Sequence, residues 1–229
     1  GKTYFLLTLI EALLHTNAVL YILDPKNADL ADLGTVMENV YHTKEKMIDC
    51  VNAFYEGMVQ RSEEMKRHPN YKTGENYAYL GLPPCFLIFD EYVAFFEMLG
   101  TKESVGLLSQ LKKIVMLGRQ AGYFLIVACQ RPDAKYFSDG IRDNFNFRVG
   151  LGRISELGYG MLFGSDVKKQ FFQKRIKGRG YCDVGTSVIS EFYTPLVPKG
   201  HDFLQTIGSL AQARQDGTAT CEAKGDGTD

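Results

Sequence analysis

The sequence predicts an α/β fold built on a mostly parallel central sheet with helices on both faces. Three observations point to it. Apolar runs without alternation occur at Ala18 to Leu23, Cys85 to Phe89 and Tyr123 to Cys129, as expected of strands covered on both sides. Helix-periodic segments lie between them, and strand, helix, strand, helix in this order suits parallel strands joined by crossovers. Each run also leads into polar residues, namely Asp24, Asp90-Glu91 and Gln130. In an open parallel sheet the ligand crevice lies beyond the carboxyl ends of the strands, so these side chains are expected to converge on one edge.

Taken in order, Thr3 to His15 is apolar on all sides, as in a buried helix. The first strand then runs to Leu23 and stops at Asp24-Pro25. Between Thr43 and His68 the residues Met47, Val51, Phe54 and Met58 are spaced by four, three and four, an amphipathic helix. Pro69 to Pro84 reads as a loop. After the Cys85 to Phe89 strand, Val105, Leu108, Leu111, Val115 and Leu117 line one side of a helix ending near Gly118. Phe147 to Leu151 is a further strand, Ile154 to Phe163 a short helix, and Gly180 to Val184 with Val188 to Tyr193 a closing pair of strands. Past Gly208 the composition turns to Ala, Gln, Asp, Gly and Thr, which predicts a disordered tail over 209–229.

Composition excludes several functions. With 229 residues at 45% hydrophobic the chain can bury a sizeable core. Lys and Arg number 26 against 27 Asp and Glu, so any contact with nucleic acid must be local. The five cysteines form no C-x-x-C pair, which fits a reducing compartment with neither a zinc site nor a disulfide framework. No apolar stretch approaches the roughly 20 residues that a membrane helix needs. His15, His42, His68 and His201 share no ligand spacing.

Gly1-Lys2-Thr3 matches the end of G-x-x-x-x-G-K-[ST], the phosphate-binding loop, and it opens a buried helix as that loop requires. The glycine-rich remainder of the loop is absent, so the chain reads as truncated within it. In this motif Gly1 and Lys2 bind phosphate, and the Thr3 hydroxyl ligates Mg²⁺. Phe86-Leu-Ile-Phe-Asp90-Glu91 has the form of a Walker B segment. Its first carboxylate, Asp90, holds Mg²⁺, and the second, Glu91, deprotonates the attacking water. Neither an N-K-x-D nor an L-S-G-G-Q segment occurs, so the pattern is that of a RecA-like P-loop NTPase using ATP, with Gln130 as the polar sensor one strand over.

Leu87-Ile-Phe-Asp-Glu91, Leu117-Gly-Arg-Gln-Ala-Gly122 and Val127-Ala-Cys-Gln-Arg-Pro132 follow one another in this chain, and Asp24-Pro25-Lys26 precedes them. In order and wording they resemble the FtsK/SpoIIIE family of DNA translocase ATPases. The segment Val184 to Phe192 is most similar to the members found in Gram-positive conjugative elements. The likeness spans residues 1 to about 200 and implies one RecA-like motor domain over 1–208. It implies ATP and Mg as cofactors, a homo-oligomer in the form of a hexameric ring, and double-stranded DNA passing through it during conjugative transfer or chromosome or plasmid segregation. It places the motor in the bacterial cytoplasm, with membrane anchoring or membrane-tethered partners outside this chain. Arg119 matches the arginine offered to a neighbouring subunit's γ-phosphate. Read by itself, Arg119 also fits a surface arginine near a helix end, favoured by the helix dipole.

Residues 168–179 hold six basic residues in twelve, with Phe171 and Phe172 among them. Lys168, Lys169, Lys174 and Arg175 are thereby candidates for following a DNA backbone, and a solvated helix face explains the same run. Two rival functions share these motifs. One is a secretion-system ATPase, of type VII or coupling-protein kind, that moves protein. The other is a catalytically weak module kept for ring assembly.

Overall fold

A computed structural model describes residues 1–217 apart from 134, 138, 168 and 173–175, and without the side chain of residue 139. Helix α1 (Lys2–Leu14) buries Leu6, Leu7, Ile10 and Leu14. Strands β1 (Val19–Leu23), β2 (Val40–Tyr41), β3 (Cys85–Phe89) and β4 (Tyr123–Val127) form a parallel sheet in the order β2-β1-β3-β4. Leu23 pairs with Phe89 and Phe89 with Val127, so three strands end level with one another.

Side chains alternate across these strands, and each face has its own helices. Leu87 and Phe89 pack with α2 (Lys44–Arg67) and α4 (Thr101–Ala121). Leu20, Ile22 and Ile88 pack with α1 and with α7 (Phe203–Gln215). The amphipathic stripe expected in α2 is the one that is buried: Met47, Val51, Phe54 and Met58 all lie in the core.

Helix α4 departs from expectation in its orientation. Its buried residues are Leu107, Leu111, Ile114, Gly118 and Ala121, whereas Val105 and Leu117, expected inside, are exposed. The helix also runs past Gly118 to Ala121 and ends at Gly122, whose φ of 77° supplies the left-handed cap. Gly118 is where α4 meets β4: a Cβ there would sit 2.1 Å from the Tyr123 carbonyl oxygen.

The expected tail is a helix over its first part. Residues 209–215 belong to α7, which buries Ile207 and Ala211 and donates from Arg214 Nη2 to the Ala18 carbonyl at 2.6 Å. An N-cap at Asp202, which accepts from the Gln205 N–H, starts this helix. Residues 218–229 lie outside the described residues.

The remaining strands stand apart from the parallel sheet. β5 (Arg148–Leu151), β6 (Arg179–Asp183) and β7 (Ile189–Tyr193) make an antiparallel sheet in that order, with α6 (Glu156–Phe163) beside β5. Two short helices, α3 (Tyr92–Glu97) and α5 (Asp139–Arg142), complete the described elements together with two 3-10 turns. Phe192 of β7 meets Phe5 of α1 edge-on, with ring centres 5.4 Å apart, which sets this sheet beside the start of α1. No helix among the described residues is long and apolar enough to cross a membrane.

Candidate active site

The level strand ends bring the polar residues after β1, β3 and β4 to one edge, and the first turn of α1 meets them there. Lys2 Nζ bonds Asp90 Oδ1 and lies 2.5 Å from Glu91 Oε1. These contacts join residues 88 and 89 positions apart. Both carboxylate side chains are under a tenth exposed, and such burial is tolerated only with a charged or hydrogen-bonding partner. Glu91 adopts the left-handed conformation (φ 47°, ψ 49°) at the start of α3, which costs about 1 kcal/mol for a residue with a side chain. In this turn both adjacent carboxylates reach Lys2, and Asp90 Oδ1 also accepts the Glu91 N–H at 3.0 Å.

The electrostatics divide the two acids. Burial drives the Asp90 carboxyl above its ordinary pKa, further than the Lys2 hydrogen bond and charge pull it down. Burial acts the same way on Glu91, but there it is outweighed. The Lys2 bond and charge, the charge of Lys26 and the Gln130 backbone N–H together hold Glu91 below the usual carboxylate value. For Lys2, burial opposes the charged form, and the bonds to both carboxylates prevail and raise its pKa.

Thr3 is half-buried on the first turn of α1, next to Lys2, and Gly1 is the exposed N-cap of that helix. Gln130 follows β4 at the same edge: its backbone N–H reaches Glu91 and its side chain is exposed. Arg119 does not join the cluster. It lies in the last turn of α4, beside the start of β4, with its carbonyl accepting the Gly122 N–H at 3.3 Å. Because β4 rises roughly 3.3 Å per residue, the length of the strand separates Arg119 from the carboxylates.

Asp24 reaches the edge but is used locally. Its Oδ1 accepts the Lys26 N–H at 3.1 Å, and its Oδ2 accepts those of Ala28 and Ala31 at 2.9 and 3.1 Å. Lys26, which the motif reading left without a role, stands 3.5 Å from Glu91 Oε2. The signal was present in Asp24-Pro25-Lys26 directly after a strand. Among the proposed DNA contacts, Lys169 donates to the Ile189 carbonyl at 2.6 Å and sits over the Tyr181 ring. Its ammonium thus braces the antiparallel sheet. Lys168, Lys174 and Arg175 lie outside the described residues.

This fold, with a lysine at a helix start set against two carboxylates at a strand end, is that of the P-loop ATPase domains. More particularly, the chain is similar in sequence to an FtsK domain-containing protein. The FtsK domain-containing protein YdcQ of Bacillus subtilis (strain 168) is 54% identical over 230 residues, covering 100% of this chain and 48% of that protein. The chain therefore spans about half the length of this curated relative. No protein-family model matches it. Among solved structures, the pCW3 conjugation coupling protein TcpA, in its monomer form with ATPγS, has a TM-score of 0.68 at 17% identity, over 90% of this chain and 59% of that one. EccC (ATPases 2 and 3) of Thermomonospora curvata, in complex with a signal sequence peptide, has a TM-score of 0.63 at 18% identity, over 94% of this chain and 40% of that one. EssC (ATPases 2 and 3) of Geobacillus thermodenitrificans has the same TM-score at 16% identity, over 92% of this chain and 41% of that one. At such identities these three likenesses speak to the fold alone.

Proposed function

We propose that this domain hydrolyses ATP and couples the hydrolysis to movement of double-stranded DNA, in the manner of an FtsK/SpoIIIE motor acting in conjugative transfer or in chromosome or plasmid segregation. The observation that carries the reading is the set of contacts joining Lys2 to Asp90 and Glu91. A cation and two carboxylates gathered at a helix N-terminus supply both charges that phosphoryl transfer needs: a positive group for the phosphates and a base for water.

In this reading Lys2 exchanges its carboxylate partners for the β- and γ-phosphate oxygens, while Gly1 and the first turn of α1 offer backbone N–H groups. The Thr3 hydroxyl and the Asp90 carboxylate are hard oxygen donors of the kind magnesium takes, the remaining positions falling to phosphates and water. Among the described residues no group of three or more His, Cys, Asp or Glu could hold a metal. Bound there, magnesium would neutralise charge on the phosphates. Glu91, released by Lys2 and held ionised, accepts the proton of a water whose oxygen bonds the γ-phosphorus. The bond to the β–γ bridging oxygen breaks, and its electron pair stays on ADP. Gln130 lies beside Glu91 and links the state of the site to the segment after β4. Arg119, remote from its own carboxylates, completes the site of a neighbouring copy in a ring.

Lys168, Lys169, Lys174 and Arg175 remain the proposed DNA contacts, with Lys169 the weakest of them because its ammonium is already engaged. A second reading, a secretion ATPase that moves protein, is favoured by the likeness to EccC in complex with a signal sequence peptide. The test is ATP turnover by the full-length protein with and without long double-stranded DNA, with Lys2→Ala and Glu91→Gln as controls. Stimulation by DNA that both substitutions abolish is expected. Turnover indifferent to DNA transfers the reading to protein cargo, and no turnover leaves a ring-assembly module.

A further inference from the structure

The two oxygens of the Glu91 carboxylate face different lysines. Lys2 Nζ lies 2.5 Å from Oε1, and Lys26 Nζ lies 3.5 Å from Oε2. The two lysines are anchored differently. Lys2 extends from the first turn of α1 and also bonds Asp90. Lys26 sits in a turn fixed from below by the buried Asp24, whose carboxylate accepts the backbone N–H groups of Lys26, Ala28 and Ala31. Asn27, the next residue, takes the left-handed conformation (φ 49°), and its N–H donates to the Asp24 carbonyl at 3.1 Å. The main chain under Lys26 is thereby held in place. Its side chain is 45% exposed, so the ammonium stands at the water-facing lip of the cluster.

We propose that Lys26 is a positioning residue for Glu91: it holds the Oε2 side of the carboxylate while Lys2 serves the nucleotide, leaving Oε1 free to face the attacking water. This rests on the ATPase reading given above and adds to it a residue that the phosphate-loop and Walker B patterns leave out. The physical need is plain. Once Lys2 turns to phosphate, Glu91 faces a polyanion with one cation fewer, and like charges repel. A second cation on the far oxygen opposes that displacement, and the Gln130 N–H assists it from the β4 side. An ion pair this exposed adds little to the stability of the fold. Its effect is expected in the geometry of the base, where small misplacements cost rate heavily.

The test uses the full-length protein, with steady-state ATP turnover for the wild type, Lys26→Ala and Lys26→Arg and equilibrium ATP binding for Glu91→Gln with and without Lys26→Ala, each checked for native circular dichroism. Lys26→Ala is expected to lower kcat on the order of tenfold to a hundredfold with KM for ATP within about twofold. Lys26→Arg, which keeps the charge, should recover most of that loss. In the non-hydrolysing Glu91→Gln background Lys26→Ala should leave ATP affinity within about twofold, because Lys26 serves the base and not the nucleotide. Unchanged kcat in Lys26→Ala overturns the proposal. So does weaker ATP binding on adding Lys26→Ala to Glu91→Gln, or a loss confined to KM, either of which would place Lys26 on the nucleotide itself. If Lys26→Ala does not fold, the Lys26→Gln variant answers the same questions. Wild-type protein without turnover, or with turnover that Lys2→Ala leaves intact, defeats the ATPase reading and this proposal with it, an outcome distinct from failure of Lys26 alone.

Discussion

Arg119 and Glu91 stand at opposite ends of the same parallel sheet. Glu91 follows the carboxyl end of β3, whereas Arg119 lies in the last turn of α4, which leads through Gly122 into the amino end of β4. Helix α4 runs back along the strands, so its C-terminal arginine cannot approach the carboxylates of its own chain.

The arrangement predicts complementation between copies. Arg119→Ala should lower turnover by roughly a thousandfold or more, as removal of a trans-acting arginine does, with nucleotide binding retained. Mixing it with inactive Glu91→Gln protein should restore part of the lost rate, because some interfaces then pair an intact arginine with an intact base. Measured turnover of the mixture no higher than that of either variant would return Arg119 to the helix-end role that its sequence position also allows.

Two glycines of α4 should respond oppositely to a methyl group. Gly106 lies in the helix with nothing within 4 Å of a Cβ placed on it, so Gly106→Ala is expected to stabilise by about 0.5–1 kcal/mol. Gly118→Ala would drive a Cβ into the Tyr123 main chain, and backbone cannot move aside cheaply. Urea unfolding of the two variants should show the midpoint rising for the first and falling by several tenths molar or more for the second.

Helix α7 should behave as part of the fold. Ile207 is fully buried against the face that holds Leu6, Ile10 and Leu20, so Ile207→Ala is expected to cost about 2–4 kcal/mol. Ending the chain after Gly208 removes the rest of the helix together with the Arg214 bond to Ala18, and a comparable drop in thermal midpoint should follow. A truncated protein as stable as the intact chain would show α7 to be an ornament on α1.

Thiol chemistry offers a pH-dependent check. Burial pushes the Cys50 thiol up to about 12 and that of Cys129, which also bonds Tyr92, up to about 11. The thiolate is the reactive form, so at pH 8 the reactive fraction is on the order of one in ten thousand for Cys50 and one in a thousand for Cys129. Both should resist iodoacetamide in the native protein at pH 8 and react on unfolding. Raising the pH from 8 to 9 should increase each native rate about tenfold, as read by mass spectrometry of the labelled peptides.

Much of this was legible beforehand. The runs at Cys85 to Phe89 and Ala18 to Leu23 allow few alternatives to a doubly covered strand, and the α2 stripe of Met47, Val51, Phe54 and Met58 occurs in one version only. Helix α4 was harder because it carries two overlapping stripes. Val105, Leu108, Leu111 and Val115 repeat with a helical period, and so do Leu107, Leu111, Ile114 and Gly118. Periodicity cannot rank two such stripes. Contact with α2 and the sheet does, and the glycine at 118 reveals which, since only that side lets β4 come close. The tail was misread for a different reason: a count of apolar residues hides the spacing of Phe203, Ile207 and Ala211, which is that of a helix side.

The sequence by itself determined the strands, the polar residues that end them and the kind of chemistry that Lys2, Asp90 and Glu91 can perform, because these follow from local patterning and side-chain type. Tertiary structure decided which charges meet. The Lys2 pairs span nearly ninety positions and the Lys26 pair with Glu91 more than sixty, and they exist because β1 and β3 end level beside the first turn of α1. The same packing spent Asp24 on a turn, engaged Lys169 within a sheet and sent Arg119 to the far edge. Such outcomes depend on register and on the direction in which α4 crosses the sheet, and neither is written in the spacing of residues along one strand or helix.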